Sequence, residues 1–306
     1  MNVRLDGILV VDKPAGPTSH DVVGLIRRLS GVKRVGHGGT LDPFARGVLP
    51  IFVGRATRVA EYHLGDAKQY RATVCFGASS TTDDLDGELI PIGGPPVERA
   101  ATEAALSQFR GPIVQVPPAY SAVKVAGRRA YALARAGARP ELAPRSVTIQ
   151  RLELLDWDGS DPGRPIAVIE VDCSAGTYIR AIARDLGAAL GTGAYLGALT
   201  RTASGPFHLA DAVSLDAVRA AAGEGSVVGA LGAMLLPMDS GLDLAAVSLS
   251  AAELQAVVRG QFIRPAAGGA ASDDRPVRLL SEAGELVGFG RWDGTRILPD
   301  KVLVDA

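Results

Sequence analysis

The densest potential chemistry in this chain lies in one short stretch, Gly36 to Gly47, which reads GHGGTLDPFARG. Its glycines let the backbone bend sharply and approach a ligand closely, and Pro43 restrains the residue before it, Asp42. Such a segment can hold one carboxylate in a fixed direction. An isolated Asp-Pro is ordinarily a turn starter and an isolated histidine such as His37 an ordinary surface group; here Gly, His and Asp crowd a single non-repetitive loop. Other chemistries lack their signatures. There is no GxxxxGK[ST] phosphate loop, the glycines at 36, 38 and 39 lack the third glycine of a dinucleotide fingerprint, and no GxSxG elbow occurs. Glycosidase-type catalysis needs a second carboxylate, and the sequence does not say which acid would pair with Asp42. Cys75 and Cys173, with four scattered histidines, make neither a disulfide framework nor a zinc-ligand spacing. No metal and no cofactor is expected.

The elements around this loop follow from local pattern. Gly7 to Asp12 (GILVVD) is a strand that runs into the turn Lys13-Pro14-Ala15-Gly16-Pro17. Ser19 is placed to cap a helix with apolar positions Val22, Val23, Ile26 and Leu29, stopped by Gly31. Residues 34–43 are too rich in glycine for helix or strand. Leu49–Val53 is a brief apolar segment, Tyr70–Phe76 an alternating strand, Ser79–Gly87 a polar turn and Glu98–Phe109 a helix. A proline connection at 116–118 leads to a hairpin at 124–129 and a short helix. Extended segments at 147–155 and 165–173 precede a helix whose stripe is Ile179, Ile182, Leu186 and Leu190, leaving Arg180 and Arg184 together on another face. After Ser240 a helix over 250–258 and short strands near 277–280, 286–289 and 302–304 form a small unit. Without a regular βαβ rhythm, the expected class is α+β, with a mixed, largely antiparallel sheet flanked by helices and a small C-terminal β-rich unit.

Composition sets outer bounds. The 306 residues are 47% hydrophobic and 21% charged, an ordinary globular balance with room for one or two domains. No apolar run approaches a membrane span, the nearest being Val227–Leu236, and the charged N-terminus has no secretory pattern, so a cytoplasmic protein without membrane contact is expected. The net charge of −1 hides an uneven distribution. Residues 1–60 hold nine basic groups against four acidic ones, and residues 120–151 hold seven against one, whereas the chain from Phe207 onward has eight against thirteen. Two basic segments in a neutral chain can track a phosphate backbone, although charge runs are usually solvated faces.

At the Gly36–Gly47 loop the sequence resembles the bacterial tRNA pseudouridine synthases that modify uridine 55 of the T-loop, the TruB type. That family's GHxGxLDPxAxGxLP pattern is met by Gly36-His37, Gly39, Leu41-Asp42-Pro43, Ala45, Gly47 and Leu49-Pro50. Four further patterns follow in the same order. GxLxxDKPxGxTS opens the chain from Gly7 to Ser19, and Lys68, Tyr70 and Gly77 fit KxYxxxxxxG. QxPPxYSAxKxxGxRxYxxAR runs from Gln115 to Arg135, and CSxGTYIRxIxxDLGxxLGxGA from Cys173 to Ala194, followed by Leu199 and Arg201. The resemblance spans about residues 7–207.

The resemblance implies roles residue by residue. Asp42 is the essential aspartate that opens the glycosidic bond, Tyr70 the tyrosine that stacks on the base and joins in proton transfer, and Arg180 the aspartate's partner. Leu199 lines the base pocket, His37 fills the space left by the extruded base, and Tyr178, Lys13 and Lys124 are structural or RNA-contacting positions. It also implies the pseudouridine synthase fold, a catalytic domain over 1–240, a small PUA-like RNA-binding domain over 241–306, a tRNA T-stem-loop as partner and no cofactor. A monomer is expected. Two positions depart from the pattern: Gly38 stands where Thr or Ala is commoner, and Thr81 where an aspartate is common, with Asp84 keeping the second acid.

The chemistry agrees with these types. Moving C1′ of a ribose from N1 to C5 of uracil involves no net redox change and needs no carrier. It calls for an ionised carboxylate, and an arginine partner should favour ionisation and fix direction. It also calls for the nucleotide to leave its stack, with an aromatic face to receive the base. A non-catalytic tRNA-binding or folding factor and an RNA-directed sugar-cleaving hydrolase are the alternatives, and an assay for pseudouridine separates all three.

Overall fold

The computed structural model describes residues 5–125, 127–138, 140–223, 227–264 and 276–304. Arg4 and Arg139, counted above in the basic segments, lie outside the described residues.

A ten-stranded sheet organises the chain. Its path runs Val213–Ser214, Gly7–Lys13, Arg46–Val53, Ala194–Ser204, Lys68–Phe76, Ile166–Cys173, Arg145–Asp158 and Gly111–Gln115, with Val35–His37 and Phe207–His208 pairing beside it. Neighbours are antiparallel except two pairs: Gly7–Lys13 with Val213–Ser214, and Arg46–Val53 with Ala194–Ser204. The α+β expectation with a largely antiparallel sheet holds.

Side-chain alternation explains the layers. In Lys68–Phe76 the residues Lys68, Tyr70, Ala72, Val74 and Phe76 are buried, and in Ile166–Cys173 so are Ala167, Ile169, Val171 and Cys173. These inward faces meet Ile179, Ile182 and Leu186 of the helix Ile179–Ala189 in one core. A second core joins Leu9, Val11, Leu49 and Ile51 to Val22 and Ile26 of the helix Ser19–Ser30. That helix ends at Gly31, whose φ of 68° is the left-handed C-cap that glycine adopts most easily.

Several expectations need correction. The cap of the Ser19–Ser30 helix is Thr18, in a reciprocal capping box with Asp21, which frees Ser19 for the loop that follows Val35–His37. Within 34–43, Val35–His37 is a strand despite Gly36, because pairing with Ile51–Val53 supplies the order that propensity lacks. Ala194–Ser204, one of the sheet's central strands, carries no clear strand signal in the sequence. Its register shifts between Leu196 and Ala198 and again between Arg201 and Ala203 blur the alternation that marks a strand.

The C-terminal residues form a separate four-stranded sheet, ordered Ala246–Ser248, Val277–Leu280, Leu286–Trp292 and Ile297–Val302. The last strand thus precedes the expected 302–304, and Ala246–Ser248 was not anticipated. Ser250 caps the helix Ala251–Val258 through a box with Glu253. This sheet meets the main body through a seam of Val59, Leu286, Phe289 and Leu303. Tyr62 lies 4.5 Å from the Phe289 ring, and Arg55 donates to the Leu303 carbonyl at 2.7 Å. No described helix is long and apolar enough to cross a membrane.

Candidate active site

Asp42 sits in the loop between Val35–His37 and Arg46–Val53, and that loop is tied down by its own backbone. The Lys13 ammonium, fully buried, donates to the carbonyls of Pro14, Pro17 and Pro43 at 2.8, 2.9 and 3.2 Å. The Ser19 hydroxyl donates to the Leu41 carbonyl and accepts from its amide at 3.0 and 2.9 Å. Arg201, 1% exposed, donates to the carbonyls of Gly39, Thr40 and Val48 at 3.2, 3.3 and 2.7 Å. Gly47 must be glycine: its φ is 102°, and a Cβ there would lie 2.2 Å from the Arg201 carbonyl oxygen.

Against this loop stands Arg180, at the start of the Ile179–Ala189 helix and only 4% exposed at its side chain. Nε lies 3.0 Å from Asp42 Oδ2, and Nη2 donates to Oδ1 at 3.2 Å. The same guanidinium donates to the carbonyls of Thr82 and Tyr120 at 3.1 and 3.0 Å, and faces Asp84 Oδ2 at 3.3 Å. A planar fork holding two carboxylates and two carbonyls fixes Asp42 in direction as well as charge. One helical turn on, Arg184 pairs with Asp83 at 2.9 Å, so the arginine face expected from spacing closes on the 79–87 turn.

The electrostatics differ from expectation. Burial raises the Asp42 carboxyl above the ordinary aspartate range; Arg180 and Lys13 pull against that, and the nearby Asp84 adds to it. Arg180 limits the rise without reversing it. Asp42 keeps 30% side-chain exposure, open to a substrate while set in low-dielectric surroundings. Lys13 is lowered to about 8 by burial, with Asp42 opposing and Arg201 adding to the fall.

Tyr70 is buried directly across the strand pair from Arg201 and packs in the core that also holds Leu41 and Leu199. Burial raises its phenol; the Arg201 charge opposes the rise, and Cys173 and Asp42 add to it. Asp42, Arg180, Tyr70 and Leu199 therefore converge. The other expected site residues take positions around them. His37 accepts from the Gly39 amide at 3.3 Å, its ring 6.1 Å from that of His20, and burial, then His20 and Arg201, lower its pKa. Tyr178 caps the Arg180 helix, fastened by both ends of the Gln115 amide at 2.8 and 3.0 Å and covered by Arg145 at 4.4 Å. Lys124 is exposed on a two-residue strand opposite Arg129. Lys13, being fully buried, offers no surface to an RNA and acts on the loop instead.

Comparison with known proteins finds two family models along the chain. Residues 27–179 fit the model of the TruB family pseudouridylate synthase N-terminal domain, and 180–243 that of the tRNA pseudouridylate synthase B C-terminal domain. The chain belongs to the TruB family of pseudouridylate synthases. Among its TruB-family relatives, the tRNA pseudouridine synthase B of Gloeobacter violaceus is 53% identical over 73% of this chain and 76% of its own. That of Synechococcus sp. is 45% identical over 98% of both. Among solved structures, a Cbf5–Nop10–Gar1 complex aligns with a TM-score of 0.73 at 27% identity, covering 98% of this chain and 86% of the other.

Two residues of this cluster have no role assigned from sequence. Asp84 was noted only as a retained acid, and Arg201 only as the end of a motif. Both act through side chains brought in from distant segments, and spacing carries no trace of that. Gly38 has a local reason: a Cβ there would sit 3.0 Å from the Phe52 ring, which fills the space a larger residue would need.

Proposed function

We propose that this chain converts uridine 55 in the T-loop of tRNAs to pseudouridine, with Asp42 as the essential carboxylate acting on an extruded nucleotide. One observation carries the reading: an ion-paired, still accessible Asp42 held in a backbone-clamped loop beside Tyr70 and Leu199. The names of the relatives, tRNA pseudouridine synthase B, supply the substrate class and the reaction. In the reaction C1′–N1 breaks, the uracil turns, C1′–C5 forms, the C5 proton leaves, and N1 takes up a proton, so that atoms and charge balance. Asp42 as carboxylate attacks the sugar or the base, or removes a sugar proton. Arg180 holds it in place, Tyr70 receives the base face and shares in proton transfer, and Leu199 lines the pocket.

Extrusion costs a few kcal/mol, and stacking on an aromatic side chain returns about 1–3 kcal/mol per base. His37, beside the catalytic loop, occupies the vacated space. The exposed Arg27, Arg28, Lys33 and Arg34, with Lys124, Arg128 and Arg129 of the hairpin, form the phosphate-tracking face, and Tyr178 contacts RNA from the start of the Arg180 helix. Residues 1–240 act as the catalytic domain, residues 241–306 as a PUA-like RNA-contacting domain, and the chain works as a cytoplasmic monomer. The test is a tRNA transcript incubated with the chain and mapped for pseudouridine. Modification at position 55 and nowhere else is expected. Unmodified RNA would support the binding-factor reading, and released uracil the hydrolase reading.

A further inference from the structure

Arg201 is a buried cation with an unusual set of partners. Its side chain is among the largest fully buried ones, and its hydrogen bonds run to the backbone carbonyls of Gly39, Thr40 and Val48, with no carboxylate among the described residues within ion-pair distance. A buried charge is normally matched by an opposite one, since an uncompensated ion costs several kcal/mol. Three carbonyl dipoles do that work here, and two of them belong to the residues just before Leu41 and Asp42. The strand register adds a second link. Gly47, Arg201 and Tyr70 lie in one cross-strand row, Arg201 parallel-paired with Gly47 and antiparallel-paired with Tyr70. Residues directly opposite in an antiparallel pair project from the same face with Cβ atoms about 5 Å apart.

We propose that Arg201 is a positioning residue for the reaction: its guanidinium couples the Gly39–Thr40 backbone leading to Asp42 with the strand carrying Tyr70, keeping the two reacting side chains in one relative placement. This rests on the reading of Asp42 and Tyr70 as the reacting pair. The arrangement explains why an arginine stands there. One nitrogen reaches Val48 at the strand, while the two terminal nitrogens reach separate carbonyls of the loop. Lysine would keep the charge and lose the span.

The test compares single-turnover pseudouridine formation and tRNA affinity for the native chain, Arg201→Lys, Tyr70→Phe and the double variant. A misplacement of order 1 Å costs about 100-fold in rate. Arg201→Lys is expected to slow turnover by about that factor with tRNA affinity within threefold of native. The Tyr70→Phe loss should shrink in the Arg201→Lys background, because the two residues act through one arrangement. Near-native turnover by Arg201→Lys, losses that multiply, or affinity falling in step with rate would overturn the proposal. If Arg201→Lys does not fold, the Tyr70→Phe chain decides. With Arg201 in place but its cross-strand partner altered, the amide resonances of Gly39 to Asp42 should shift, and an unmoved loop refutes the coupling. Turnover by Asp42→Asn would instead remove the reading on which the proposal rests, so the two failures are distinguishable.

Discussion

Replacing Arg180 by lysine probes the site where its geometry is most exacting. The guanidinium contacts Asp42 at both oxygens, Asp84 at one, and the Thr82 and Tyr120 carbonyls, all between 3.0 and 3.3 Å. A lysine carries a single nitrogen and at most three donors from one point, so at least two of these contacts are lost. Charge-assisted hydrogen bonds contribute about 1.5–3 kcal/mol each. Losing two costs about 3 kcal/mol if Asp42's direction matters in the transition state, and about 1.4 kcal/mol corresponds to a tenfold change in rate. Arg180→Lys should therefore react about 100-fold more slowly in single turnover, measured by tritium release from tRNA labelled at C5 of uridine. Because Arg180 is nearly inaccessible, tRNA affinity should stay within threefold of native. The pH profile adds a signature. Turnover needs Asp42 ionised, so activity falls as pH drops through its pKa, already raised by burial and restrained by Arg180. Weakening that restraint moves the acid limb to higher pH. A variant within threefold of the native rate, with its acid limb unmoved, would refute the reasoning.

Three further outcomes follow from the same structure. Asp42→Asn should melt at a higher temperature than the native chain at neutral pH. A carboxyl whose folded pKa is raised costs stability when ionised, and the cost fades as pH falls through that pKa, so the gap in melting temperature should narrow in acid. Gly47→Ala should cost more than about 2 kcal/mol by denaturant titration, since it combines a left-handed φ with a backbone clash. Gly38→Ala, whose closest contacts would be the Phe52 ring edge at 3.0 Å and the Pro50 Cβ at 3.5 Å, should cost under about 1 kcal/mol. Affinity for tRNA should fall steeply with salt, and neutralising Arg28 and Arg34 together should flatten the slope of log K against log salt by about one to two units.

Much of this was legible in the sequence, for reasons that differ by residue. The helix carrying Arg180 and the strand carrying Tyr70 both show strong periodicity, so their positions and buried faces followed directly. The Gly36–Gly47 loop stands out through glycine density and the Asp-Pro step. Ala194–Ser204 was missed because two register irregularities blur its alternation, and Arg201 went with it. Ser19 was read as a cap because Ser and Thr serve equally there; only the fold shows Thr18 capping and Ser19 clamping Leu41. The upward direction of Asp42's pKa is not legible in the sequence, because proximity of an arginine is easy to infer, whereas burial depth is a property of the whole packed structure.

The account stands or falls on the carboxylate of Asp42. Asp42→Asn preserves shape and removes the charge, and the decisive measurement is pseudouridine at position 55 of a bound tRNA transcript after prolonged incubation, alongside the affinity for that RNA. Binding within threefold of native with no detectable pseudouridine is the expected result. Substantial pseudouridine formed by the asparagine chain would contradict it.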